Sequence, residues 1–303
     1  MSSDLRRKQA MADDYKKWSE LPYAGEQKPP HNPEEPYAGS WPDYYLRNQP
    51  PGRFATLNGR PIRLEIQHPS SIDWDKELKK VKHAEKHLTR KQATIAEYWG
   101  TGVASKQWTP IIDKLIDTYG VTPPRAARIL AAASAGMNDA FTTAWYLKYR
   151  WNVARPNQLD HELKTLLCTP RHPTYPSGHA TISGATAEIL SYFFPTEKER
   201  LVELAKECAD SRLYAGVHFP VDNEEGLRLG KQIGSIVASE LRKEENNRGQ
   251  SIDVPYRENR HTKLTPPPYK QVIDFEFDST CDSTTENPFE NQHAKQPKPK
   301  LFF

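Results

Sequence analysis

The sequence predicts an all-α protein with a helical bundle core and extended, proline-rich flanks at both ends. Three observations predict this fold class. Apolar residues in the middle of the chain recur at intervals of three and four, the periodicity of a helix that buries one face. The alternation of apolar and polar residues that is typical of strands is scarce. Prolines concentrate towards the two ends, where they prevent long helices.

Prolines thus divide the chain into three predicted parts. Residues 1–61 form an extended arm that we expect to lie on the globule, because its prolines are mixed with Tyr and Trp side chains that can bury area. Residues 62–245 form the helical domain. Residues 246–303 form a polar, proline-rich tail that we expect to be loose.

The first helices are predicted from their starting signals and spacing. Thr89 and Gln92 form a capping-box pattern before an apolar run. Residues 108–119 carry apolar side chains at helical spacing. Thr122 precedes two prolines, which suit the first turn of a helix. Residues 126–151 are rich in Ala and weakly polar, so they predict a central buried helix.

The second half of the domain predicts three more helices. Residues 182–194 are mostly apolar and form the first of them. Thr196 and Glu199 match a second capping box and predict the next helix. Residues 224–243 begin with acidic and end with basic side chains, an order that suits the helix macrodipole.

Composition excludes several classes of partner and location. The chain has 42 Lys and Arg against 39 Asp and Glu, so its formal net charge of +3 argues against nucleic acid. No run of roughly eighteen apolar residues exists, so an integral membrane protein is not predicted. The N-terminal residues lack the apolar stretch of a secretory signal, which favours a cytoplasmic protein.

The cysteines favour the same location. Cys168, Cys208 and Cys281 lie far apart, and no two of them form a CxxC pair. We therefore expect no disulfide framework and a reducing compartment.

Three polar segments carry the chemistry: KYRWNVARP from Lys148 to Pro156, PSGH from Pro176 to His179, and SRLYAGVHFPVD from Ser211 to Asp222. They supply three cations, two imidazoles, a hydroxyl and a glycine whose amide can be approached closely. Arg forks and a Lys ammonium bind the edges of a tetrahedral oxyanion, and the hydroxyl and amide donate to its other oxygens. One imidazole can attack or ligate the central atom while the other moves a proton.

These segments resemble the three-part signature of the type 2 phosphatidic acid phosphatase/vanadium haloperoxidase superfamily. The signature reads Lys-x6-Arg-Pro, Pro-Ser-Gly-His and Ser-Arg-x5-His-x3-Asp, and every specified position is matched in order. The resemblance extends upstream to the helical segments of soluble bacterial haloperoxidase-type members and covers residues 88–240. It implies a helical bundle of the haloperoxidase and acid phosphatase kind.

The resemblance also implies a role for each matched residue. Three cations would clamp the oxyanion: Lys148, Arg155 and Arg212. Ser177 and Gly178 would bind its equatorial oxygens. His218 would be the apical group, which ligates vanadium in a peroxidase or becomes phosphohistidine in a phosphatase. His179 would act as acid and base, and Asp222 would orient the imidazole of His218.

Two further residues are candidates around this set. Asp139 stands where haloperoxidase-type sequences also place an Asp, and we expect it to pair with Arg212 or His179. His172 precedes the PSGH segment at a position that resembles the halide side of the bromoperoxidase pocket; alternatively it is a plain loop residue. Ala154 stands where haloperoxidase-type sequences often have Trp, so the resemblance implies a smaller or a more open pocket and argues against halide oxidation.

The sequence therefore predicts a vanadate-dependent haloperoxidase-type enzyme that oxidises halide with hydrogen peroxide. One alternative is a soluble acid phosphatase that hydrolyses a phosphate ester through phosphohistidine and needs no cofactor. Another is a non-catalytic interaction protein that retains the fold. Either enzyme would act on small molecules. Members of this superfamily can dimerise through helix faces, so a homodimer is among the expected states.

Overall fold

A computed structural model describes residues 14–49, 52–273 and 280–289 of the chain. These residues fold mainly into helices, so the all-α prediction is confirmed. The α-helices are α1 (Trp74–Lys86), α2 (Arg90–Gly100), α3 (Ala104–Thr118), α4 (Pro123–Trp151), α5 (Pro156–Leu159), α6 (Gly178–Phe193), α7 (Lys198–Tyr214) and α8 (Pro220–Leu241). Short 3-10 turns occupy Trp18–Glu20, Ala38–Ser40, Pro69–Ser71 and Pro195–Glu197.

A small hairpin precedes the helices. Strand β1 (Leu46–Gln49) pairs antiparallel with β2 (Arg53–Thr56), with Leu46 opposite Thr56. The hairpin lies on α4, where the rings of Phe54 and Tyr146 meet edge to face at 5.6 Å between centroids.

Helix α6 lies at the centre of the molecule. It contacts α3, α4, α7 and α8, and almost all of its side chains are buried. The crossing with α8 is close because glycines of α8 face the backbone of α6. A Cβ atom at Gly230 would lie 2.0 Å from the carbonyl oxygen of Thr181. The core packs around this crossing, and the N-terminus of α6 opens into the site described below.

Two predicted helix starts are confirmed. Thr89 caps α2, with its hydroxyl accepting from the backbone of Gln92 and the Gln92 side chain accepting from the backbone of Thr89. Thr122 is the N-cap of α4, and Pro123 is its first residue.

The second predicted capping box is wrong. A 3-10 turn occupies Pro195–Glu197, and α7 begins only after it. The hydroxyl of Thr196 donates to the carbonyl of Glu258 instead, because the tail returns to this point of the bundle.

Residues 14–45 run across the C-terminal half of α4 and the loop beyond it. The backbone N–H of Trp18 donates to the carbonyl of Asn152 over 2.7 Å, and the hydroxyl of Tyr23 donates to Pro170 over 2.8 Å. The division of the chain into three parts stays a prediction. Parts of the predicted arm and tail, residues 1–13, 50–51, 274–279 and 290–303, lie outside the described residues.

The expectation of a loose tail is wrong for the part that the structure describes. Asp253 forms a two-pronged ion pair with Arg128, with both N···O distances at 2.7 Å. The backbone N–H of Tyr256 donates to the carbonyl of Phe193. Leu264 is buried in the core, and the ring of Tyr256 stacks on Phe194, so apolar contacts also hold the tail.

The prediction for the cysteines also requires correction. Cys168 and Cys281 form a disulfide, with their Cα atoms 5.9 Å apart. Spacing along the chain gave no sign of this pair, since 113 residues separate the two cysteines. Cys208 is a buried free thiol whose pKa burial raises to about 12.

Among the described residues, no helix combines the length and the apolar composition that a membrane span needs.

Candidate active site

The three polar segments meet at the N-terminus of α6. The first comes from the end of α4 and the start of α5, the second leads into α6, and the third links α7 to α8. Arg155 Nη1 lies 3.4 Å from His218 Nε2, so the first and third segments are in direct contact. The structure thus brings together the residues that the signature had selected.

Lys148 enters this site from the last turn of α4. Its Nζ donates to the carbonyl oxygens of Pro173 and Thr174 over 2.7 and 2.8 Å, and the side chain is fully buried. An ammonium has three donors, so one remains for a ligand. Burial, followed by the nearby Arg155, lowers the pKa of Lys148 well below its usual value.

Arg155 is held rigidly at the centre of the site. Its Nε donates to the carbonyl of His172 over 3.0 Å, and Nη1 donates to the carbonyl of Val217 over 2.7 Å. The side chain has no exposed area. These two carbonyls fix the plane of the guanidinium and leave its other N–H groups directed among the imidazoles.

Arg212 projects from α7 and is the least satisfied of the three cations. Its Nε and Nη1 atoms are buried and have no hydrogen-bond partner among the described residues. Burial lowers its pKa to about 10. The guanidinium fits because the neighbouring residue is glycine: a Cβ at Gly100 would lie 2.6 Å from Nη1. Buried donors of this kind call for an acceptor, which the described residues do not supply.

Ser177 and Gly178 form the start of α6. Ser177 is the N-cap, and its Oγ accepts a hydrogen bond from the backbone N–H of Ala180 at 3.4 Å. The hydroxyl hydrogen of Ser177 stays available for donation to a ligand. Gly178 is the first helical residue, so its N–H is one of the unpaired donors of the helix start. A Cβ at Gly178 would lie 3.0 Å from the indole of Trp145, so glycine allows this close approach.

His218 is oriented by a buried carboxylate. Its Nδ1 lies 2.8 Å from Asp222 Oδ2, and the same oxygen accepts from the hydroxyl of Thr174 over 2.5 Å. A carboxylate partner places the proton on Nδ1, so Nε2 carries the lone pair. Burial, then the cations Arg155 and Lys148, lower the pKa of His218 well below its usual value. The imidazole is therefore neutral, with Nε2 facing Arg155.

His179 lies one residue further into α6. Its Nε2 is 3.2 Å from the carbonyl oxygen of Trp99, which places a proton on Nε2 and leaves Nδ1 to accept one. Burial and the positive charge of Arg212 lower the pKa of His179 well below its usual value. The end of α2 thus orients the second imidazole.

Asp139 does not take the predicted place. Its two carboxylate oxygens accept from the backbone N–H groups of Tyr44 and Tyr45 over 2.9 and 2.7 Å, instead of pairing with Arg212 or His179. The reason is the arm, which passes along this part of α4. Asp139 therefore anchors the arm.

His172 lies in the loop before α6, beside the cations. Its ring packs against Trp145, with 4.8 Å between centroids, and its Nδ1 lies 3.0 Å from Arg155 Nη2. Burial, then Lys148 and Arg155, lower its pKa well below the usual value.

Three groups at the site were missed by reasoning from the sequence. Thr174 bridges His218 and Asp222, the carbonyl of Trp99 binds His179, and Glu34 reaches the site from the arm. No spacing rule connects these residues to the signature. Only the position of Thr174, just before PSGH, offered a hint.

The site fits a tetrahedral oxyanion. Within the described part of the chain, three buried cations lie around the buried carboxylate of Asp222, and Arg212 retains unpaired donors. Burial raises the pKa of this carboxyl to about 7, while the hydrogen bonds from Thr174 and from the backbone of Phe219 favour its ionised form. Vanadate and phosphate share the shape and charge that this donor set accepts.

Comparison with known proteins gives two kinds of match. A family model described as PAP2 superfamily matches residues 127–243. A decaprenylphosphoryl-5-phosphoribose phosphatase of Mycobacterium tuberculosis is 33% identical over 117 residues, 38% of this chain and 63% of that protein. A vanadium-dependent bromoperoxidase of Corallina pilulifera is 31% identical over 99 residues, 24% of this chain and 17% of that protein.

The fold is similar to solved haloperoxidases over a longer part of the chain. A bacterial vanadium-dependent iodoperoxidase superposes with a TM-score of 0.57 at 23% identity, covering 78% of this chain and 63% of that one. A bacterial vanadium-dependent chloroperoxidase gives 0.55 at 16% identity, covering 72% and 58%. At such identities the match concerns the fold alone.

Proposed function

We propose that the chain is a vanadate-dependent haloperoxidase-type enzyme that oxidises halide with hydrogen peroxide, and that residues 127–243, which match the PAP2 superfamily model, hold its catalytic site. The observation that carries the proposal is the state of His218. Its Nδ1 is bound to Asp222 at 2.8 Å, so Nε2 presents a lone pair to the cationic site. The similarity to haloperoxidase folds beyond residues 127–243 supports the choice.

Each residue of the site would have its own role in binding vanadate. His218 Nε2 would be the protein ligand, and Asp222 would fix its tautomer. The oxygens would be received by the cations Lys148, Arg155 and Arg212, by the hydroxyl of Ser177 and by the N–H of Gly178. When bound, vanadate supplies a Lewis acid that activates hydrogen peroxide towards halide.

His179 would handle the proton. Its Nδ1 can accept a proton from hydrogen peroxide as the peroxide enters and return it to a departing oxygen. The hydrogen bond from Nε2 to Trp99 holds the ring in one orientation during this exchange. Its lowered pKa keeps it in the basic form at neutral pH.

A phosphatase is the second candidate, and the position of Glu34 favours it. Its Oε2 lies 3.9 Å from His172 Nε2, so a carboxylate stands at the place assigned to halide. In this reaction Nε2 of His218 attacks phosphorus while the bond to the ester oxygen breaks, and a proton that Nδ1 of His179 has taken up from the phosphate group of the monoester passes to the leaving alcohol. Water then attacks phosphorus, the P–N bond breaks, and His179 takes the proton of the water.

The deciding experiment is oxidation of bromide and iodide by the metal-free chain with hydrogen peroxide, with and without orthovanadate. The proposal predicts activity that appears only with orthovanadate. A folded chain that oxidises neither halide but hydrolyses phosphate monoesters, with orthovanadate as inhibitor, contradicts the peroxidase and supports the phosphatase.

His218→Ala tests the assignment of the ligand. We expect the affinity for orthovanadate, measured by calorimetry, to fall by more than about 100-fold. Mutation of a residue that only hydrogen-bonds to a metal ligand already lowers the affinity about 10- to 100-fold, and His218 would be the ligand itself. The control is His161→Ala, an exposed histidine whose removal leaves binding unchanged. Equal affinity in the wild type and His218→Ala would remove His218 from the site.

A further inference from the structure

Glu34 is an acidic side chain that the arm brings to the cationic site. Its Oε2 lies 3.9 Å from His172 Nε2, and 53% of the side chain is exposed. The ring of His172 in turn lies against Arg155. The carboxylate therefore stands at the mouth of the site, between solvent and the buried cations.

The position of Glu34 is fixed by its backbone and not by its side chain. Its N–H donates to the carbonyl of Arg171 over 2.7 Å. Its carbonyl accepts from the indole of Trp145 and from the hydroxyl of Tyr149, over 3.3 and 2.5 Å. The side chain of Glu34 takes no part in these hydrogen bonds. A substitution that removes its charge should therefore leave the arm bound to the bundle.

The charge of Glu34 acts on the same cations that would bind an anion. Burial raises the pKa of Glu34, and the charges of Arg155 and Lys148 oppose this rise, so these groups are within electrostatic reach of each other. A carboxylate at this distance reduces the positive potential that an incoming anion meets.

We infer that Glu34 is a specificity residue that restricts the entry of small anions into the site. The negative charge of Glu34 makes the affinity of the site for halide and for free oxyanion lower than the affinity that the three buried cations alone would give. A neutral co-substrate such as hydrogen peroxide is not affected. The identity of halide as the restricted substrate rests on the proposed function, whereas the effect on oxyanion does not.

The test compares Glu34→Gln with Glu35→Gln in the metal-free full chain. Both variants lose one negative charge, but Glu35 is exposed, and among the described residues no hydrogen bond or ion pair joins its side chain to the cations of the site. Calorimetric titration with orthovanadate at pH 8 should give a Kd lowered about three- to tenfold in Glu34→Gln. Glu35→Gln should stay within about twofold of the wild type.

Kinetics provide the second readout. With orthovanadate present, Glu34→Gln should lower the KM for iodide and leave the KM for hydrogen peroxide unchanged. An unchanged Kd in Glu34→Gln, or an equal change in both variants, overturns the inference. A wild type that binds orthovanadate but oxidises no halide overturns the proposed function alone, because the titration still decides the role of Glu34. A chain that binds no orthovanadate overturns both.

Discussion

The imidazole of His172 lies where a positive charge is costly, and this predicts a pH dependence of stability. Burial, Lys148 and Arg155 hold its pKa well below the usual value in the folded chain. Between pH 7.5 and 5.5 the unfolded chain therefore takes up a proton at this residue and the folded chain does not. Stability is lost as the pH falls, by about 1.4 kcal/mol for one histidine of ordinary unfolded pKa.

The contribution of His172 can be isolated by comparison with His172→Gln. Urea unfolding of both chains at the two pH values should show the wild type losing about 1.4 kcal/mol relative to the variant. The exposed His161, replaced by Gln, serves as control and should show a constant difference from the wild type. A difference between wild type and His172→Gln that is the same at both pH values would mean that the folded chain protonates His172 normally.

At the residue scale, the sequence predicted the groups within the signature and singled out His172 beside them, but it missed Thr174 and Glu34. Lys148 and His218 converge because the ends of helices carry them to one place. Asp139 was assigned a wrong partner, since its partners are backbone groups of the arm. Glu34 belongs to the same arm, and no periodicity in the sequence indicates where the arm crosses the bundle.

The crossing of α6 and α8 is the element on which the site depends. A Cβ at Gly230 would lie 2.0 Å from the carbonyl oxygen of Thr181, and one at Gly226 would lie 2.8 Å from that of Ser177. Backbone atoms cannot yield as a flexible side chain can. We therefore expect Gly230→Ala to lower the free energy of unfolding by about 3 kcal/mol.

Chemical unfolding measures this effect, with Ser239→Ala as control. Ser239 is an exposed residue of the same helix, so its replacement should change stability by less than about 0.5 kcal/mol. A Gly230→Ala chain as stable as the control would mean that the helices separate at no cost. The fold would then not require glycine at this crossing.

Helices were predicted well where apolar residues recur at helical spacing. Helix boundaries and loops were predicted poorly where contacts with distant parts of the chain determine the conformation. Helix α4 was predicted from its start signal and its Ala-rich composition. The boundary before α7 was missed, because Thr196 bonds to the returning tail and not to the first turn. The tail itself was expected to be loose, since its polar side chains find partners only in the folded bundle.

At the scale of the whole molecule, the tail joins the arm and the loop before α6. The backbone N–H of Thr284 donates to Ala24, and its carbonyl accepts from Thr165. The disulfide between Cys168 and Cys281 closes this junction covalently. The sequence could not predict the pairing, because it depends on a chain segment that returns from far away.

The length of the closed loop makes the disulfide a large contributor to stability. Linking residues 113 positions apart restricts the unfolded chain, and bonds of this kind contribute about 2–4 kcal/mol. We expect Cys281→Ala to lower the free energy of unfolding by that amount without reductant. Dithiothreitol should bring the wild type down to the same level and leave the variant unchanged, because Cys208 forms no disulfide. Equal stability of wild type and variant without reductant would show that hydrogen bonds alone hold the tail in place.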